Sequence, residues 1–187
     1  LVCVSNQTRA FALGGDTPSI KNQMQFVTIA STGEDMKDAG NLTEQSSGGS
    51  AFGSPTRGLL AGFASPMNAN IDFFQFSSTG NAQDFGELQV IVNSGDALSS
   101  TTRGLVVGGS GYLSDIQSVT MATLGNSTNF GDLTVGRYML GTTSDCVRGV
   151  IIGGYVSPGA NTNVIDYVNI ATAGDAVDFG DQVTTAR

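Results

Sequence analysis

An all-β fold of four repeated sheets is predicted by three observations. An Arg-Gly-apolar-Gly-Gly pattern recurs four times, 26 of 187 residues are glycine, and short apolar runs alternate with turn residues. The pattern reads Thr8-Arg9-Ala10-Phe11-Ala12-Leu13-Gly14-Gly15, Thr56-Arg57-Gly58-Leu59-Leu60-Ala61-Gly62, Thr102-Arg103-Gly104-Leu105-Val106-Val107-Gly108-Gly109 and Val147-Arg148-Gly149-Val150-Ile151-Ile152-Gly153-Gly154. The arginines lie 48, 46 and 45 residues apart. A period near 46 filled with short β segments is too long for a hexapeptide β-helix or a leucine-rich repeat, and it fits a four-stranded propeller blade. A β-sandwich and a solenoid are the competing arrangements.

The elements follow in order within each repeat. After the arginine strand comes a second apolar-rich run, at residues 24–30, 71–76, 116–122 and 165–171. Each run closes on a turn: Ser31-Thr32-Gly33, Ser78-Thr79-Gly80, Leu124-Gly125 or Ala173-Gly174. A third signature follows the turn, Asp84-Phe85-Gly86-Glu87, Asn129-Phe130-Gly131-Asp132 and Asp178-Phe179-Gly180-Asp181, with a degraded copy at Asp38-Ala39-Gly40. In the fourth unit, strands are expected at 138–142, 149–152, 164–171 and around Phe179. The second and third are apolar on consecutive positions, as when both faces of a sheet are covered.

From the signature glycine to the next arginine is 17 residues every time, so that stretch admits no insertion. From arginine to turn glycine the separation varies as 24, 23, 22 and 26. Length variation therefore falls between the second and third strands, in segments such as 16–22 and 155–163, and variable length marks a surface loop. One domain over 1–187 is expected, with repeats near 1–44, 45–90, 91–136 and 137–187.

Composition removes whole classes of chemistry. The chain has no His and no Trp, which excludes Ser-His-Asp and Cys-His nucleophilic sites, His-ligated zinc and His proton relays. Eight basic against sixteen acidic residues give a net charge of -8, opposing a nucleic-acid footprint and binding to anionic membranes. Only Lys21, Lys37, Arg137 and Arg187 are left over from the repeat for a basic surface. Apolar runs of four or five residues fall far short of the ~20 that a spanning helix needs, so no membrane insertion is expected. Cys3 and Cys146 are too few for a disulfide framework and are expected to be small buried apolar residues. The chain opens at Leu1 rather than Met, which leaves a removed targeting segment open.

Arg9, Arg57, Arg103 and Arg148 read as structural, because a guanidinium with five donors can tie neighbouring strands together. Asp72, Asp166, Gln25 and Gln117, or the Asp of the Phe-Gly signature, are expected to receive them. The glycine pairs read as strand exits; a phosphate cradle would need a following helix N-terminus. Neither Asp35-Met36-Lys37-Asp38 nor Asp175-Ala176-Val177-Asp178 matches a calcium loop, so no metal, cofactor or catalytic residue is assigned. Carboxylate pairs for glycoside hydrolysis form across distant strands and stay open. The candidate contact loops are marked by Asp16, Phe63, Tyr112 and Tyr155.

These residues resemble the Kelch family of β-propellers. In the fourth unit Arg137 stands where the Kelch arginine precedes the first strand, Gly153-Gly154 end the second strand, Tyr167 is the third-strand aromatic, and Phe179 replaces the usual Trp. Phe63 replaces one glycine of the second pair and Ser118 replaces an aromatic. The run from Ile165-Asp166-Tyr167 to Asp178-Phe179-Gly180-Asp181 is also similar to repeats in large structural proteins of marine bacteriophages. That resemblance implies a non-catalytic structural or adhesion module of a virion or tail appendage, located on a virion or outside cells. Its expected partners are other virion proteins, copies of itself, or a host-surface glycan or protein. A cellular Kelch-like interaction propeller and a carbohydrate-active propeller enzyme are the alternatives. The chain holds a whole number of repeats, compatible with a closed four-bladed ring or with part of a larger propeller.

Overall fold

The computed structural model describes residues 1–63 and 67–186, and among them every regular element is a β-strand. Sheet 1 comprises β1 (Val2–Ser5), β2 (Arg9–Leu13), β3 (Gln23–Thr28) and β4 (Lys37–Asn41). Sheet 2 comprises β5 (Ser50–Gly53), β6 (Arg57–Ala61), β7 (Asn70–Gln75) and β8 (Gln83–Glu87). Sheet 3 comprises β9 (Asp96–Ser99), β10 (Arg103–Val107), β11 (Asp115–Thr120) and β12 (Thr128–Asp132). After a short β13 (Arg137–Tyr138), sheet 4 runs through β14 (Gly141–Ser144), β15 (Arg148–Ile152), β17 (Ala160–Asn169) and β18 (Val177–Ala186). Between β15 and β17 lies β16 (Tyr155–Val156), which pairs with both β13 and β17. The first three sheets are antiparallel meanders whose strands pair in chain order; in the fourth, β14, β15, β17 and β18 do the same, with the β13–β16 ladder added on β17.

The arginine strand is thus the second of each sheet. Where residues 138–142 were expected as the first strand of the fourth unit, β14 starts at Gly141, and Tyr138 is drawn into the small β13–β16 ladder. The expected third strand at 164–171 begins four residues earlier, because Tyr155 and Val156 pair back onto Asn161 and Ala160. The short fourth strand expected around Phe179 is ten residues long.

Successive sheets stack through three apolar clusters. Phe11, Met24 and Phe26 of sheet 1 meet Leu60, Phe74 and Phe76 of sheet 2. Leu59, Ile71 and Phe85 of sheet 2 meet Val106, Val119 and Met121 of sheet 3. Leu105, Ile116 and Phe130 of sheet 3 meet Ile151, Val168 and Ile170 of sheet 4. The separate clusters explain the consecutive apolar residues: in β6, Leu59 faces one seam and Leu60 the other. Each buried Phe or Ile contributes about 1.5–3 kcal/mol. The first strands also touch in succession, β1 on β5, β5 on β9, β9 on β14. No hydrogen bond or apolar cluster among the described residues joins sheet 4 to sheet 1.

The Phe-Gly signature is a β-bulge. Register shifts between Met24 and Gln25, Ile71 and Asp72, Ile116 and Gln117, and Ile165 and Asp166 leave Ala39, Phe85, Phe130 and Phe179 without a partner on the third strand. The freed carbonyls turn to the following sheet: Gly80, Gly125 and Gly174 donate their N–H groups to Ala39, Phe85 and Phe130 at 2.8, 2.9 and 2.8 Å. Glycine is required at the next position because a Cβ on Gly86, at φ +148°, would lie 2.5 Å from the carbonyl oxygen of Gly125. The invariant 17-residue spacing follows, since this stretch is tied to the neighbouring sheet at the bulge, at the residue after the bulge glycine and at the connection that follows.

Candidate binding edge

Each sheet has two edges. One carries the tight turns between first and second and between third and fourth strands. The other carries the loops of variable length between second and third strands, together with the connections to the next sheet. On this second edge three tyrosines from separate segments form a row. Tyr112 comes from the β10–β11 loop, Tyr138 from β13 and Tyr155 from β16; the ring centroids are 5.6 and 5.4 Å apart, both contacts edge-to-face. Tyr112 is 36% exposed with φ +60°, a strained geometry for a tyrosine that points to a position held by its surroundings. Tyr138 and Tyr155 are half-buried.

Beneath the row lies an ion pair with no solvent exposure. Arg137 Nη1 is 3.0 Å from Asp166 Oδ2, and both side chains are fully buried. Arg137 also donates to the carbonyls of Val135 and, at 3.5 Å, Ile151, while its Nε has no hydrogen-bond partner. Thr134 gives Asp166 its hydroxyl at 2.7 Å and its N–H at 3.2 Å. Burial pulls the Arg137 guanidinium below its ordinary pKa, and Asp166 opposes that pull. The pair fixes the β12–β13 connection to β17 and so sets where Tyr138, one residue on, can stand.

The same station recurs with other chemistry. Asp72 accepts the Thr43 hydroxyl and N–H at 2.7 and 2.8 Å. Gln117 accepts from Val90 N–H at 3.0 Å and donates to the Val90 carbonyl at 2.9 Å. Residues at the Arg137 position in the preceding connections are Ser46 and Val92, both buried, so no cation accompanies Asp72. Burial therefore raises the Asp72 carboxyl above its usual range, against the lowering from Thr43.

The sequence-predicted residues fare unequally. Arg9, Arg57 and Arg103 tie neighbouring strands, as the structural reading expects, but their acceptors are not the side chains expected. They donate to main-chain carbonyls of the following sheet, Phe76 at 2.7 Å, Met121 at 2.7 Å and Ile170 at 3.0 Å. Each of the four guanidinium groups also lies over a ring of its own sheet: Arg9 on Phe26, Arg57 on Phe73, Arg103 on Phe130 and Arg148 on Tyr167, at 4.5 to 5.9 Å. Asp72, Asp166 and Gln117 instead fasten the connection arriving from the previous sheet, while the Gln25 side chain donates to Gln23 Oε1 beside it. Asp38 and Asp178 cap the N–H of Gly40 and Gly180 in the bulge.

Phe63 is not a contact residue: it is fully buried in the first seam, so the glycine it replaces was exchanged for core volume. Arg137, counted as a surface cation, is buried against Asp166. Cys3 and Cys146 are exposed free thiols rather than core residues. On β1 the alternation sends Val2 and Val4 inward and Cys3 out, and Cys146 occupies a turn at φ +73°. Asp16 is exposed on the β2–β3 loop. Tyr112 and Tyr155 are brought together, and Tyr138 is the member that sequence reasoning missed. Its signal was the Arg137-Tyr138 pair inside a stretch of fixed length. Among the described residues no three Cys, Asp or Glu side chains gather as a metal site. No protein family and no curated protein matches this chain by sequence, so the Kelch and bacteriophage resemblances rest on the quoted residues alone.

Proposed function

We propose that the chain is an arc of a β-propeller, non-catalytic, serving as a structural or adhesion module of a virion or tail appendage and binding through the edge that carries the loops between second and third strands. The observation that carries this reading is the row Tyr112, Tyr138 and Tyr155. Tyrosines offer large, rigid, amphipathic contact area, suited to a sugar ring or a peptide. Arg9, Arg57 and Arg103 and the first three bulges are engaged in the seams, while the loops between second and third strands vary in length. The four consecutive meanders, with first strand on first strand, support a propeller arc.

The test presents labelled protein to intact bacterial cells and to a panel of immobilised polysaccharides, with antibody labelling of purified particles to locate the chain. Wild type should be retained, and Tyr112→Ala with Tyr155→Ala should lose about tenfold in affinity, the effect of about 1.4 kcal/mol of lost aromatic contact. Unchanged retention by the double variant would remove the tyrosines from the binding surface. Cleavage of a polysaccharide, lost on replacing a carboxylate, would turn the reading to the carbohydrate-active alternative.

A further inference from the structure

One set of contacts makes every seam in this chain. The second-strand arginine donates to the end of the next sheet's third strand. The turn glycine of the next sheet donates to the bulge carbonyl, and the residue two further on donates to the carbonyl following the bulge glycine, at 2.8 Å in all three seams. The side chain of Asp72, Gln117 or Asp166 secures the connecting segment.

Sheet 4 carries the giving half of this set, unspent. Val150, Ile152, Ile165 and Tyr167, the equivalents of buried Leu105, Val107 and Ile116 and of Ser118, are partly exposed, and Phe179 is 54% exposed. Arg148 is exposed beside a hollow lined by Tyr167, Asn169 and Val177. Gly180 has no atom within 4 Å of its Cβ position, where Gly40, Gly86 and Gly131 meet a neighbour's backbone. Sheet 1 carries the receiving half. Val27 is partly exposed and Ile29 is 50% exposed, whereas their equivalents Phe74 and Phe76, Val119 and Met121, and Val168 and Ile170 are buried.

We infer that the outer face of sheet 4 docks on sheet 1 of a second copy of this chain, head to tail, repeating the internal seam. Arg148 then donates to the Ile29 carbonyl of the second copy, Gly33 of the second copy donates to the Phe179 carbonyl, and Gln25 holds the main chain at Thr184 as Gln117 holds it at Val90. The occupant is identified by continuity: the two bare faces are the complementary halves of an interface the chain builds three times within itself. Because the faces differ, the contact is heterologous, and it generates rings or open chains of copies. It rests on the arc reading of the fold but not on the tyrosine edge, so loss of ligand binding and loss of association fail separately.

Complementation tests it. A variant with the giving face broken (Arg148→Glu with Phe179→Asp) and one with the receiving face broken (Val27→Asp) are purified separately and checked for folding by circular dichroism. Arg148→Glu alone serves where the double change does not fold. By sedimentation, wild type should exceed the 19.2 kDa of one chain in a concentration-dependent manner, and each variant alone should be a monomer. An equimolar mixture of the two should form a species of two chains, since each supplies the face the other lacks. A wild type that stays monomeric at high concentration, variants that still self-associate, or a mixture that remains monomeric would each overturn the inference.

Discussion

Replacing Gly86 by Ala probes the seam directly, because Gly180 is a control built into the same chain. Both glycines have left-handed φ, +148° and +138°, so Ala at either place carries a similar backbone cost of about 1–2 kcal/mol. Only Gly86 faces a neighbour, with the Gly125 carbonyl oxygen and carbon 2.5 and 2.6 Å from the added Cβ. Relief requires the sheet 3 turn to withdraw. That breaks the bonds from Gly125 N to the Phe85 carbonyl and from Ser127 N to the Glu87 carbonyl, 2.9 and 2.8 Å, at about 1 kcal/mol each. It also loosens Phe85, 3% exposed, in the second seam, for about 1 kcal/mol more. The expected gap between Gly86→Ala and Gly180→Ala is therefore about 3 kcal/mol, roughly 6–12 °C in Tm for a chain of this size. Melts followed by far-ultraviolet circular dichroism, on protein dilute enough to be monomeric, read it. Equal losses at the two positions would refute the claim that the Phe-Gly glycine exists for the seam rather than for its own backbone.

Other outcomes follow from the same contacts. Arg57→Ala should cost about 1.5–3 kcal/mol, from the charged hydrogen bond to Met121 and the cover over Phe73, while Arg148→Ala in the monomer should change stability by under about 0.5 kcal/mol; a urea titration comparing the two checks this. Arg137→Leu leaves Asp166 buried without its cation and should cost about 3–5 kcal/mol, with much of that recovered in Arg137→Leu/Asp166→Leu; a double variant as unstable as the single would contradict it. For Asp72 the folded carboxyl holds its proton more tightly than the unfolded one, whose ordinary value is 3.8. Its contribution is complete below that value and declines as pH rises through the folded pKa. Asp72→Asn, which keeps an acceptor for Thr43 and cannot ionise, should gain on wild type from acid to neutral pH, and a flat or shrinking difference would sink this account.

The architecture was legible because its cause is local and repeated. The period, the glycine exits and the split into constant and variable segments all state what each sheet owes its neighbours, and a periodic debt prints a periodic sequence. What stayed hidden is what crosses between repeats. Nothing in the spelling of Arg57 says that its acceptor is a main-chain oxygen 64 residues away, since carbonyls leave no mark in a sequence. Buried Arg137 reads as a surface cation until Asp166, 29 positions on, is placed beside it. Phe63 sits in a segment whose neighbours suggest a loop, and only the seam shows it as core. The tyrosine row is similarly non-local: Tyr112, Tyr138 and Tyr155 belong to three segments and two repeats.

Two departures of the repeat fall at the end faces, and they match each other. In the second and third seams, first-strand side chains press onto second-strand glycines of the next sheet, whereas Gly58 in the first seam meets the Phe74 ring of its own sheet. A Cβ on Gly104 would strike the Phe52 ring, and one on Gly149 would lie 2.6 Å from Leu98. At the free ends both partners change. The pressing position of sheet 4 holds Thr143, exposed and smaller than Phe52 or Leu98, and the receiving position of sheet 1 holds Ala10 where the other three units have glycine. A larger floor beneath a shorter side chain keeps the combined volume of the contact, which is what close packing demands of two surfaces that meet. Ends that merely faced solvent would place no such joint constraint on Thr143 and Ala10. The pairing therefore argues, separately from the unspent hydrogen bonds, that sheet 4 and sheet 1 are shaped for each other in different copies of the chain.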